Sequence, residues 1–307
     1  MKPAFSVVLF TTLIGAAQGL VVALGLASLA GRAPSPGFLR AALLVALVML
    51  LAGLVASFGH LGRKERAWRA ALMWRTSWLS REVIVLPAFI AVVAGWWWSA
   101  SAGAASAGWP LLAIAVAALL WYCTAMIYAC LRFIQEWAQP LTLVNFVLTG
   151  LSSGLVLGCA LAALAGETPL LGRLAPFALI ATIAAGVARV AALRRNAALK
   201  PRSTLQSATG IRATRLTQKS MGMSAGAFNT REFFHGASLA VLANVRRVLI
   251  LAGFAGPALL LALGLLSGFA VPFVLAFVVQ APGLVADRWL FFAQARHPQN
   301  LYYQVVS

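Results

Sequence analysis

Charge is what this sequence has least of. Only 10% of its 307 residues are charged, and just six of them are acids, whereas soluble domains carry roughly 25% charged residues. With 62% of the chain hydrophobic, there is too little polar surface to meet water on all sides, which excludes an ordinary soluble fold. Cysteine is scarce too. Cys123, Cys130 and Cys159 fall inside apolar runs and none forms a Cys-x-x-Cys pair, so neither a zinc site nor an iron–sulfur cluster held by this chain is expected. They read as apolar filler. Three histidines, none inside an apolar run, do not supply the inward-facing axial ligands of a haem in a helix bundle.

What the chain does have is long apolar runs, each able to cross a hydrocarbon core of about 30 Å as a helix. The pattern predicts helices at 5–30, 39–60, 80–100, 109–132, 141–165, 173–195, 237–266 and 269–292, the seventh with a start that could instead lie near Val245. Breaks fall at Pro34-Ser35-Pro36-Gly37, the Gly/Ser/Ala run 99–108, Pro140, Gly166-Glu167-Thr168-Pro169 and Ser267-Gly268, as turn chemistry requires. Lys2 followed by an apolar run and by Gly15-Ala16-Ala17 imitates a secretory signal, but the run continues to Ala30. That is too long for a signal peptide's apolar region, so it reads as an uncleaved first helix. The expected fold is an all-α integral membrane bundle of eight transmembrane helices, one membrane domain over 1–307 with extramembrane loops 61–81 and 196–236.

The net charge of +18 is distributed by side. Of 24 Lys and Arg, only Arg32, Arg40 and Arg173 fall on the side of the odd-numbered loops. The other 21 lie at the N-terminus, after the even-numbered helices or just inside those helix ends. Positive residues accumulate on the cytoplasmic side and meet anionic lipid there, so both termini are expected in the cytoplasm and nucleic acid is not the expected partner. Loop 61–81 interleaves Arg63, Lys64, Arg66, Arg69, Arg75 and Arg81 with Trp68, Trp74 and Trp78, a composition suited to a helix lying in the membrane interface. Loop 196–236 carries Lys200, Arg202, Arg212, Arg215, Lys219 and Arg231, then Phe233-Phe234-His235. With Phe228 as well, its length and aromatic residues point to docking rather than a solvated linker.

Ionisable residues in a bilayer mark function, pairing or the interface. Here His60, Glu82, Glu136, Asp287 and Arg288 all sit near the cytoplasmic ends of predicted helices, with none near a span's middle, which removes a proton relay running through the bilayer. What remains is a one-sided site open to lipid and to cytoplasmic water. A quinone suits it, because the tail stays in lipid while the carbonyls need donors and a proton exchanger. Each residue also has a structural reading. His60 could cap a helix C-terminus, and Glu82 could neutralise Arg81 or favour a helix N-terminus. Asp287 could pair with Arg288. Tyr122 and Tyr128 could be interfacial belt residues, with Trp96, Trp97 and Trp98 forming the belt of the opposite face.

The segments Ala56-Ser57-Phe58-Gly59-His60-Leu61-Gly62, Arg66-Ala67-Trp68 and Trp78-Leu79-Ser80-Arg81-Glu82 resemble the second-to-third helix signature of the dimethyl sulfoxide reductase membrane-anchor family. Phe10-Thr11-Thr12, Gln18-Gly19 and Asp287-Arg288-Trp289-Leu290-Phe291-Phe292 extend the resemblance. Residues 229–236 and Asn300-Leu301-Tyr302-Tyr303 are similar to the branch serving a cytoplasmic, quinone-linked sulfite dehydrogenase. The resemblance implies an eight-helix anchor in a bacterial inner membrane, binding ubiquinone or menaquinone. A four-cluster iron–sulfur subunit would link it to a molybdopterin catalytic subunit. It places His60 and Glu82 at the family's quinone-site histidine and carboxylate, and Arg288 at its basic position in helix eight. Leu284 departs from the glutamate expected four residues before that arginine, with Asp287 nearby instead.

The reading is therefore a quinone-reactive anchor in which His60, Glu82, Arg63, Tyr128, Asp287 and Arg288 surround the quinone, with Lys64 as a further cation for the reduced anion. Arg66, Arg69, Arg75, Arg212, Arg215 and Arg231 would dock the partner. The alternatives are an anchor running electrons from quinol to substrate, a small-anion permease, and a purely structural anchor.

Overall fold

The computed structural model describes residues 1–31, 33–104, 106–220 and 232–302, without the side chains of His60 and Tyr302. Arg32 and Arg231 lie outside the described residues, as do Phe228-Asn229-Thr230 and Tyr303. Among the described residues, eight helices are long and apolar enough to cross a membrane: α1 (Phe5–Leu29), α2 (Pro36–Ser57), α3 (Trp78–Ser101), α4 (Gly108–Ala129), α5 (Pro140–Leu164), α6 (Thr168–Ala197), α7 (Leu239–Ser267) and α8 (Val271–Ala293). No strand occurs among the described residues.

Several helices start earlier than hydropathy alone predicts, and the caps explain why. Ser35 Oγ accepts from Phe38 N at 3.3 Å, and α2 follows with proline in its first turn, where a missing N–H costs nothing. Proline likewise stands in the first turn of α6, which begins five residues ahead of its predicted start. Ser238 caps α7 through Val241 N at 3.3 Å, so α7 begins well before Val245. Its Leu251–Ala255 turn is π-helical.

α1 and α5 form the axis of the bundle, with α2, α3 and α4 on one side and α6, α7 and α8 on the other. The axis exists because glycines allow two backbones to touch. A Cβ on Gly19 would lie 1.9 Å from Gly150 O, and one on Gly154 would lie 2.0 Å from Gly19 C. Small residues four apart are how apolar helices associate in lipid, where no hydrophobic force draws them together. α7 and α8 meet the same way, since a Cβ on Gly283 would sit 2.1 Å from Gly253 N in the π turn.

One end of the bundle gathers the N-terminus of α1, the C-termini of α2, α4, α6 and α8, and both long loops. The Met1 amine donates to Ala293 O at 3.2 Å and Ala295 O at 2.9 Å. Lys2 N donates to Glu232 O at 2.9 Å. His297 stacks on Phe233 at 3.9 Å, and Asn300 Nδ2 donates to Phe233 O at 3.1 Å. The N-terminus and residues 293–300 therefore share this charged face with the end of the second loop.

The helix expected in loop 61–81 is present as a 3₁₀ segment rather than an α-helix. Two 3₁₀ pieces, Phe58–His60 and Lys64–Ala71, lead into turns, leaving Trp68 62% and Trp74 53% exposed. At the opposite end Trp98 is exposed, whereas Trp97 is half-buried and Trp96 is buried in the core.

Candidate functional site

Glu82 stands in the second turn of α3, 5% exposed, and its carboxylate accepts from the Thr124 hydroxyl of α4. It does not neutralise Arg81. That guanidinium turns outward, donating to Trp74 O and Arg75 O at 2.9 Å each and lying 4.0 Å over the Trp78 ring. A carboxylate held under the surface by a single hydroxyl retains acceptor capacity that no described residue uses.

Asp287 and Arg288 do not pair with each other either. Consecutive helical residues point about 100° apart, so each meets a different neighbour. Asp287 faces α6, where Arg189 Nε lies 2.5 Å from its Oδ1 and Arg189 Nη2 donates to its carbonyl at 3.2 Å. Both side chains are 3% exposed. Arg288 faces the α1–α5 axis, 4% exposed, its guanidinium 4.0 Å over the Phe146 ring. It makes no hydrogen bond or ion pair to any described residue. In a bilayer this is a cation with binding capacity left over.

Tyr128 is not a belt residue. Its ring packs against Trp137, Phe146, Phe291 and Phe292 at centroid distances of 5.2 to 5.7 Å. Tyr122 is 42% exposed and meets Trp78 edge-on at 5.2 Å.

Two narrow clefts flank Arg288. One lies between α1, α4 and α5, lined by Phe10, Thr11, Ile14, Gln18, Trp121, Thr124, Phe146 and Arg288. The other lies between α5, α6, α8 and the turn after α4, lined by Glu136, Gln139, Asn145, Arg189, Asn196 and Asp287 together with the same Phe146 and Arg288. Each has free space for about one water, so a ring enters only as side chains move. The first cleft offers the better chemistry for a flat, carbonyl-bearing molecule. Phe10 and Phe146 supply aromatic rings, while the buried indole N–H of Trp121 has no acceptor among the described residues. Thr124 brings Glu82 to its edge.

The residues expected at the site therefore divide. Arg288 lines both clefts and Asp287 the second alone, while Glu82 reaches the first through Thr124 and Tyr128 packs against its Phe146. His60 ends the turn after α2 at the same face, its side chain outside the description. Arg63 and Lys64 are exposed at the start of the tryptophan-rich segment, joined there by Arg66, Arg69 and Arg75, while Arg212 and Arg215 are exposed on the second loop.

Trp121, Thr124 and Arg189 were not among the expected site residues. A tryptophan well inside an apolar run is a signal for Trp121, since its N–H needs a partner wherever the ring is buried. Arg189, two turns short of the end of α6, differs from a topology arginine only by its depth.

The profile of the family described as DMSO reductase anchor subunit (DmsC) matches residues 1–281. The chain is also 48% identical to a sulfite dehydrogenase subunit of Allochromatium vinosum in an alignment of 326 positions covering 100% of each. With eight apolar helices and a charged face bearing a buried Glu82 and Arg288, this multi-pass membrane protein belongs to the DMSO reductase anchor subunit family.

Proposed function

We propose that the chain is the quinone-reactive anchor of a molybdopterin oxidoreductase complex, passing electrons from an iron–sulfur subunit to the quinone pool. The observation that carries this reading is the first cleft, lined by two buried donors with no acceptor among the described residues, Arg288 and the Trp121 N–H, and joined through Thr124 to the buried carboxylate of Glu82. A bound quinone would supply two-electron redox chemistry at its carbonyls. The chain's residues do the rest. Arg288 and Trp121 hydrogen-bond one carbonyl oxygen and stabilise negative charge as it develops there. Glu82, steadied by Thr124, transfers a proton at the other end, and His60 stands at the same face to exchange it with water. Phe10 and Phe146 keep the ring plane fixed.

The exposed arginines and tryptophans of residues 63–75, with Arg212 and Arg215, form the surface for the iron–sulfur subunit, which in turn holds the molybdopterin subunit. Positive-inside counting puts this surface in the cytoplasm of a bacterial inner membrane. The full-length similarity to part of a sulfite dehydrogenase favours sulfite as the electron source and quinone as the acceptor. In the assembled complex, Glu82→Gln should lower quinone reduction at least tenfold, in line with the loss of a general acid. Trp121→Phe, which keeps the ring and removes one donor, should raise the quinone KM roughly tenfold, the equivalent of one hydrogen bond. Unchanged quinone kinetics in both variants would refute the site.

A further inference from the structure

Reduction of a quinone to a quinol takes two electrons and two protons, one proton for each carbonyl oxygen, and the oxygens lie at opposite ends of the ring. Glu82 serves only one end. The other end, against Arg288, needs its own supply, and a guanidinium cannot give up a proton.

The second cleft shares Phe146 and Arg288 with the first. Glu136, 7% exposed, stands at its outer end beside the charged face, where its Oε2 accepts from Arg296 N at 3.4 Å. Farther in, Gln139 and Asn145 are 9% and 7% exposed, yet among the described residues Gln139 Oε1 and Asn145 Oδ1 have no donor, and Asn196 Nδ2 has no acceptor. Buried polar atoms left unpaired around a polar cleft are the sites that ordered water fills. The Arg189–Asp287 pair closes one side as a net-neutral wall, so it neither traps nor repels a passing proton.

We propose that this cleft is the second proton route, taking protons from charged-face water at Glu136 and delivering them through bound water past Asn145 to the Arg288 side of the quinone. The proposal rests on the quinone reading above. Electrostatics gives it an order of events. The Arg288 charge opposes a proton until electrons from the iron–sulfur partner put negative charge on the adjacent oxygen. Proton arrival then follows electron arrival.

The test uses the assembled complex with decylubiquinone as acceptor and a fluorescent hydroxyquinoline N-oxide as a binding probe. Glu136→Gln is expected to leave probe affinity within twofold of wild type while slowing quinone reduction roughly tenfold or more. The deficit should widen as pH rises and shrink on adding a small weak acid that can enter the cleft. Asn145→Leu, which replaces a water-holding amide with an apolar side chain, should reproduce the slowing. Wild-type rates at every pH in both variants would overturn the proposal. So would a loss that no weak acid relieves and that comes with weakened probe binding, because that pattern marks a structural role. If the unmodified complex neither binds the probe nor reduces decylubiquinone, the quinone reading itself has failed, a result distinct from either.

Discussion

Asp287 illustrates what neighbouring letters in a helix conceal. Beside Arg288 it suggests a local pair, but helix geometry sends it to Arg189, 98 positions away. Removing one member of such a pair strands a charge in the membrane interior, at a cost of about 3–5 kcal/mol. Asp287→Asn or Arg189→Leu should therefore sharply lower the thermal midpoint of the detergent-solubilised complex. The joint replacement Arg189→Met with Asp287→Leu should recover much of the loss, since neither charge is then left alone. A double variant no better than either single one would mean that the pair is not the reason. Glu82 was legible in the sequence because a carboxylate beside an apolar run is rare. Trp121 and Arg189 were not, because their importance comes from partners that only folding supplies or withholds.

Helix number and order could be read from hydropathy, since crossing a bilayer imposes a length that no other fold requires. The ends could not. They depend on caps such as Ser35 and Ser238 and on prolines that look like breaks but sit harmlessly in first turns. Which helices become neighbours was also out of reach, being decided by where glycines bring two backbones together. Gly154→Val should separate α1 from α5 and abolish accumulation of the folded anchor, whereas the same change at Gly172, where an added Cβ meets nothing within 4 Å, should be tolerated. Expression and size-exclusion profiles would show the contrast. The turn after α8 has a pH dependence of its own. Burial against Phe233 holds the His297 imidazole below its ordinary value of 6.5, so the neutral ring is the docked form. Its contribution is complete above pH 6.5 and is lost as pH falls through the lowered value. Hydrogen exchange of residues 295–300 should quicken on acidification, and His297→Phe should remove that sensitivity.

At the scale of the whole molecule, the asymmetry of charge was visible from the first reading, while its internal extent was not. From the charged face, polar side chains continue inward past Asp287 and Arg189 to a last buried layer. There Gln280 Nε2 donates to Ser152 Oγ at 3.0 Å, and Ser152 lies 2.8 Å from Thr182 Oγ1. These three stand seven residues, about 10 Å along each helix, from Asp287, Asn145 and Arg189. Beyond that layer the core is closed by Leu157, Ala178, Leu261, Phe273 and Ala276, and no described carboxylate or imidazole lies within the helices there. On the proposed function, that apolar half acts as an insulator. Quinol would form with protons drawn from one compartment only, so turnover in sealed vesicles driven by a one-electron donor that releases no protons should alkalinise the charged-face side while the opposite side keeps its pH. The anchor would load reducing equivalents into the membrane without dissipating the proton-motive force, leaving energy conservation to whichever enzyme later oxidises the quinol.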